Sequence, residues 1–230
     1  MDVQSNRLAS PVVELRQYTL KPRRRDELID IFDSRFVEPQ EAAGMTIIGQ
    51  FRDLDRPDMF VWLRGFPDMP ARKAALETFY GGPVWAANRD AANDTMIDSD
   101  DVLLLKPAWE GAGFDLDGLS RPSLPGEAEK PSLQNRLPRL VAVGIHHLQP
   151  GHEAAFAEEY RQHRLPQLIR HGGCLLAAFV TEHAENTFSR LPVRADANVF
   201  AAFVALNDAY AEAVSLPWLG SIRGWSSKPI

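Results

Sequence analysis

Residues 12–20 read VVELRQYTL, followed by Lys21-Pro22 and a helical run from Arg23; residues 140–149 read LVAVGIHHLQ, followed by Pro150-Gly151 and a helical run from His152. Each is a strand that turns through a proline into a helix, and the correspondence continues downstream. Leu28, Ile31, Phe32, Arg35 and Phe36 keep the spacing of an amphipathic helix, and Phe156, Tyr160, Leu165 and Leu168 answer them in the second stretch. Both helices stop at glycine, at Gly44 and at Gly172-Gly173, which suits a left-handed C-cap. Two strand-like runs follow in each half: 45–54 (MTIIGQFRDL) and 59–66 (MFVWLRGF), then 174–183 (CLLAAFVTEH) and 199–206 (VFAAFVAL). A second helix is expected over 70–80 and again over 208–216. A last strand is expected over 102–107, with a weaker counterpart near 222–229.

The order is β-α-β-β-α-β twice, the ferredoxin-like pattern. It predicts an α+β protein of two tandem ferredoxin-like repeats. Each repeat has one open sheet face, so the two are expected to pack sheet to sheet as a pseudo-dimeric α+β barrel enclosing a space. The first unit is read over residues 1–107 and the second over 139–230, with an insertion at 184–198 carrying Phe188, Arg190 and Arg194. Such a loop reads either as a lid or as a surface excursion. Residues 108–138, rich in Gly, Pro and Ser, read as a linker, although Trp109, Phe114, Leu116 and Leu119 leave room for an ordered loop.

Composition narrows the function classes. The chain has 230 residues with a formal charge of -6 and 45% hydrophobic residues, which argues against a disordered chain and against sequence-independent nucleic-acid binding. It has no run approaching the roughly 20 apolar residues of a membrane span. The opening MDVQSNRLAS carries no signal or transit pattern, and a cytoplasmic protein is expected. The single cysteine, Cys174, reads as a small buried residue.

Three blocks in order, ELRQYTLKPRRRDELIDIF (14–32), GMTIIGQFRDLDRPDMFVWLRGFPDMPAR (44–72) and YGGPVWAANRDAANDTMIDSDDVLLLKP (80–107), resemble the NIPSNAP family of the dimeric α+β barrel superfamily. The resemblance is strong over residues 12–107 and weak over 139–229, where it runs through the repeat. It implies a ferredoxin-like barrel but no single reaction. Related barrels include cofactor-independent monooxygenases, isomerases, polyketide cyclases, haem-binding enzymes and plain binding proteins, and fold alone does not choose among them.

Period-2 alternation sorts the strand residues into two faces. Val13 and Leu15, with Ile47, Val61 and Leu63, form an apolar set expected to pack on the helices. Glu14, Arg16, Tyr18, Gln50, Arg52, Trp62 and Arg64 form a mixed set expected to face the partner sheet. Two readings stand side by side. In one, Arg16, Tyr18, Arg52, Trp62 and Arg64 line a pocket for a small anionic or aromatic molecule between the sheets. In the other, Glu14 neutralises Arg16 or Arg64 in a structural ion-pair face. All six histidines lie in the second half, and His146 aligns with Tyr18. It is the candidate general base of an isomerase, cyclase or monooxygenase, with Arg16 or Arg64 stabilising an oxyanion. A non-catalytic ligand-binding or protein-interaction module is the competing reading.

His147 is expected in the core. Adjacent His146 and His147 point to opposite faces of a strand, and no other His or carboxylate spacing forms a metal set, so neither metal nor cofactor is expected. Haem needs one axial ligand only, and spacing does not decide against it. Trp85 is expected on the barrel rim, with Arg89 and Asn93 reaching a pocket mouth. Edge strands leave a homo-oligomer open.

Overall fold

A computed structural model of the chain describes residues 10–116, 140–206 and 223–227. The first repeat runs β1 (Val12–Leu20), α1 (Arg25–Ile31), a π-helical turn (Phe32–Phe36), α2 (Val37–Ala42), β2 (Thr46–Asp53), β3 (Met59–Phe66), α3 (Met69–Tyr80), α4 (Pro83–Asp94) and β4 (Met96–Pro107). The second runs β5 (Leu140–His147), α5 (Glu153–Glu159), a second π-helical turn (Tyr160–Arg164), α6 (Leu165–Arg170), β6 (Cys174–Thr181), β7 (Val199–Leu206) and β8 (Arg223–Ser227). The expected helix at 208–216 lies outside the described residues.

The repeat extends to local distortion. Phe32 and Tyr160 open the two π-helical turns and stand as far apart in sequence as Leu20 and Leu148. A π turn adds a residue to the helical circuit, which the regular spacing of the sequence does not reveal. Gly44 and Gly172 take φ of +95° and +82°, the left-handed caps expected there.

The eight strands close into one barrel in the order β1-β3-β2-β8-β5-β7-β6-β4. Within each repeat this is the ferredoxin-like order, β4-β1-β3-β2 and β8-β5-β7-β6. The seams join the edge of one repeat to the edge of the other: β2 to β8 through Phe51↔Ser227, and β4 to β6 through Leu105↔Thr181. Both sheet edges are thus satisfied within a single chain, and closing the barrel needs no second chain. Among the described residues no helix is long and apolar enough to cross a membrane.

Closure corrects the expected face assignment. Apart from Ile47, which packs on the helix side next to a β-bulge, the apolar set points into the barrel, where Val13, Leu15, Val61, Leu63 and Leu105 pack with Val141, Val143, Phe179, Ala201 and Phe203 of the second repeat. The mixed set points to the helices, where Tyr18, Phe60, Trp62 and Phe66 meet Phe32, Phe36, Leu76 and Phe79. An eight-stranded barrel has an interior just wide enough for side chains. Charges enclosed there would have no helix to supply partners, so the sheets turn their uniformly apolar faces together. The proposed space between the sheets is occupied by this core.

Residues 108–116, read as the start of a linker, dock on the second repeat. Phe114 is buried in the barrel core against Phe179 and Phe203, with ring centroids 5.5 and 5.1 Å away, and Trp109 stacks on Phe200. Two further expectations are corrected: His147 and Cys174 are both exposed. Each sits at a strand end, beyond the reach of the covering helices.

Because the two repeats share one core, they should not separate when the chain is cut. A protease site engineered between residues 116 and 140 is expected to give two fragments that co-elute in size-exclusion chromatography. Elution as independent fragments would contradict the shared barrel. Phe114→Ala should lower stability by roughly 3 kcal/mol in urea titration.

Candidate functional site

Glu14 sits mid-strand in β1, opposite Arg64 of β3, with its side chain turned toward the helices. Arg16 follows one pleat along on the same face. Arg72 reaches in from α3, whose start is fixed by Asp68 accepting a hydrogen bond from the Ala71 amide. The three guanidiniums converge on the one carboxylate. Arg16 Nη1 and Arg64 Nε donate to Oε2, each at 2.8 Å, and Arg72 Nε donates to Oε1 at 2.7 Å. All four side chains are 0–1% exposed.

Neutral groups complete the cluster. Arg64 Nη1 donates to Gln40 Oε1 at 3.1 Å and to the Tyr80 hydroxyl at 3.2 Å. Arg72 Nη1 donates to Asn186 Oδ1 at 3.0 Å, and Arg16 Nε to the Tyr18 hydroxyl at 2.8 Å. Aromatic faces take part of the charge: Arg64 lies 5.1 Å from the Trp62 ring and Arg16 lies 5.6 Å from it. Even so, three buried guanidiniums face one carboxylate, a surplus of two positive charges. The other buried acid among the described residues, Asp53, is at the β2–β3 turn and pairs with Arg56.

Burial alone would raise the pKa of Glu14, but Arg64, Arg16 and Arg72 together outweigh it and hold the carboxyl far below its ordinary range. Burial works against the charge of Arg16, and the neighbouring Tyr18 and Glu14 outweigh that too, so its pKa rises. Burial also raises Tyr18, more than the adjacent Arg16 lowers it, and the phenol stays protonated.

A cleft of about 210 Å³ opens beside this cluster. Arg16, Tyr18 and Tyr80 line it together with Trp85, Asn93, Met96, Ser99 and Asp100 of the first repeat. Phe188, Arg190 and Leu191 line it from the second. The insertion at 184–198 therefore crosses onto the first repeat. Asn186 holds Arg72, Phe188 packs within the helix-side core beside Tyr80, and Arg194 pairs with Asp101 at 3.5 Å. Both tyrosine hydroxyls accept from arginines, which leaves each phenolic proton to be donated elsewhere. The interior is thus rich in donors and walled by apolar rings. It suits the oxygen anion of a small planar molecule.

The structure brings Arg16, Tyr18, Trp62 and Arg64 together, but on the helix side of the sheet. Arg52 is apart from them, paired with Asp26 of α1. His146 is apart as well. It occupies the Tyr18-equivalent position of the second repeat, half-buried against Phe156 and Phe200, where burial and Arg164 lower its pKa. Its proposed partnership with Arg16 or Arg64 across a space between the sheets is corrected by the barrel core that fills that space. Asn93 does reach the cleft and Trp85 forms its wall, whereas Arg89 is exposed beside Asp90. Arg72, Tyr80 and Asn186 were not singled out from the sequence. Helical spacing hid the first two, and no local pattern announced the third. Among the described residues no group of His, Cys, Asp and Glu forms a metal site.

Two ferredoxin-like repeats closed edge to edge, with a helix-covered cleft, give this single chain the architecture of a dimeric α+β barrel. Residues 13–109, which span the first repeat, match the NIPSNAP family model. A NIPSNAP domain protein from Burkholderia xenovorans is 18% identical, covering 42% of this chain and 93% of its own, with a TM-score of 0.39. A NIPSNAP family protein of unknown function from Agrobacterium tumefaciens is also 18% identical, over 43% of this chain and 88% of its own, with a TM-score of 0.40. A candidate monooxygenase from Lactobacillus acidophilus is 14% identical over 90% of this chain and 83% of its own, at a TM-score of 0.50, a likeness of fold. No curated protein matches the sequence.

Removing the shared carboxylate leaves three buried cations without a counter-charge, so Glu14→Gln is expected to destabilise the protein by about 3–5 kcal/mol. The folded pKa of Glu14 lies below its unfolded value near 4.5, so its contribution is complete above that value and is lost as pH falls below it. Urea titrations from pH 7 to pH 3 should show wild-type stability falling through this window, and a shallower fall in the variant. Equal slopes would contradict the assignment.

Proposed function

We propose that the cleft of the first repeat binds a small anionic, aromatic molecule, with Arg16 and Tyr18 holding its anionic oxygens. The observation that carries this reading is the surplus of two buried positive charges on a cluster of which Arg16 forms the cleft wall. A buried charge without a partner is costly, and an anion in the cleft would supply the partner the protein lacks. Trp85, Met96, Phe188 and Leu191 supply walls for a planar ring. A dry cavity of about 150 Å³ holds benzene, so the volume here suits one substituted ring rather than a drug-sized ligand.

The same contacts serve chemistry without a cofactor. Isomerisation, cyclisation and monooxygenation of activated aromatic substrates all pass through an enolate or phenolate. A buried guanidinium and a phenolic donor preorganised at that oxygen would stabilise it. On this reading the proton donor is Tyr18, and His146 belongs to the second repeat rather than to the reaction. A plain binding protein would use the same groups without turnover, and a substrate panel with Tyr18→Phe as control separates the two.

The binding reading is tested by calorimetry with benzoate and its uncharged isostere benzamide. Benzoate is expected to bind about tenfold more tightly, the value of one charge-assisted contact. Arg16→Gln, checked for folding by thermal unfolding, should abolish that preference, and Tyr18→Phe should reduce it. Equal binding of the two compounds, or no binding of either, would overturn the reading.

A further inference from the structure

The charge count goes further than a single anion. The cleft also has a second cation, placed differently. Arg190 comes from the insertion of the second repeat, lies exposed, and stacks 5.8 Å from the ring of its neighbour Phe188. Among the described residues it has no carboxylate partner, whereas Arg194 in the same insertion is paired with Asp101 and Asp196. The apolar side chains of Trp85, Met96, Phe188 and Leu191 line the same cleft. Asp100, also exposed, lines the cleft as well, so one carboxylate stands in it beside the two arginines.

We propose that the ligand of this cleft is a dianion with acidic groups on opposite sides of an apolar body, one held by Arg16 and the other by Arg190 of the second repeat. This inference rests on the anion-binding reading of the same cleft. It adds the ligand class, an aromatic dicarboxylate or a compound of equivalent charge and shape. It also gives the 184–198 insertion a role: the second repeat supplies the outer half of the recognition. Because Arg190 is exposed, its contact with an anion weakens with salt.

The experiment is calorimetric titration of the full-length protein with benzamide, benzoate and terephthalate at low and physiological salt. Terephthalate is expected to bind about tenfold more tightly than benzoate, one additional charge-assisted contact. Arg190→Gln, an exposed substitution that the core does not feel, should remove most of that advantage while costing benzoate far less. If benzoate exceeds benzamide but terephthalate does not exceed benzoate, the dianion inference fails and the anion reading survives. A terephthalate advantage that persists unchanged in Arg190→Gln overturns the role given to the second repeat. Failure of benzoate to exceed benzamide overturns the anion reading and this inference with it.

Discussion

One carboxylate organises the first repeat. Glu14 is the only acid among the described residues that reaches Arg16, Arg64 and Arg72, which come from two strands and a helix. Each arginine then fixes a further group: Arg16 the hydroxyl of Tyr18, Arg64 the amide oxygen of Gln40 and the hydroxyl of Tyr80, and Arg72 the insertion through Asn186. A network of this kind is costly to bury and rigid once satisfied. The cleft lies where the helices leave one wall of that network open.

The barrel imposes the complementary constraint. Its interior takes side chains from eight strands in a space with no access to helix-borne partners, so every charge on the strands must turn outward. That rule fixes which face of β1 and β3 meets the helices. It also explains why the arginines of the first repeat can be wholly buried without lying in the barrel core. The helices bring what the opposite sheet could not: an arginine from α3, a glutamine from α2, and a tyrosine at the end of α3.

Much of the architecture was legible in the sequence. The paired strand–proline–helix runs, the glycine caps and the Pro/Gly-rich middle revealed two ferredoxin-like repeats, because period and punctuation are local properties. The face assignment was legible only as a partition. Alternation separates Val13 and Leu15 from Glu14 and Arg16, but which set faces inward depends on barrel closure, a long-range event. The site was half legible for the same reason. Arg16, Tyr18, Trp62 and Arg64 share strand faces and were found by alternation, whereas Arg72 and Asn186 enter from elements remote in sequence. Arg52 and His146 failed because strand phase alone cannot tell a residue over α1, or one in the other repeat, from one at the cleft.

The two repeats have divided their tasks. Strand pairing sets Glu14 opposite Arg64 and Arg16 opposite Trp62 in the first; the corresponding pairs in the second are Ala142 with Val204 and Gly144 with Ala202. The charged strand members Glu14, Arg16 and Arg64 are thus replaced by Ala142, Gly144 and Val204, so the strands of the second repeat supply no such charges. What it has instead is the insertion between β6 and β7, where the first repeat has a short turn. A homodimer of identical halves would present two equal clefts, each capped by whatever its own sequence allows. Joining the halves in one chain removes that restriction. One half can keep the costly buried charges while the other gives up its own network and extends a loop over its neighbour. The asymmetry in the sequence, Arg16 and Arg64 on the strand faces of one half and the histidines in the other, therefore does not mark two sides of one inter-sheet pocket. It marks a barrel in which one repeat buries the cationic cluster and the other completes the rim of the cleft beside it.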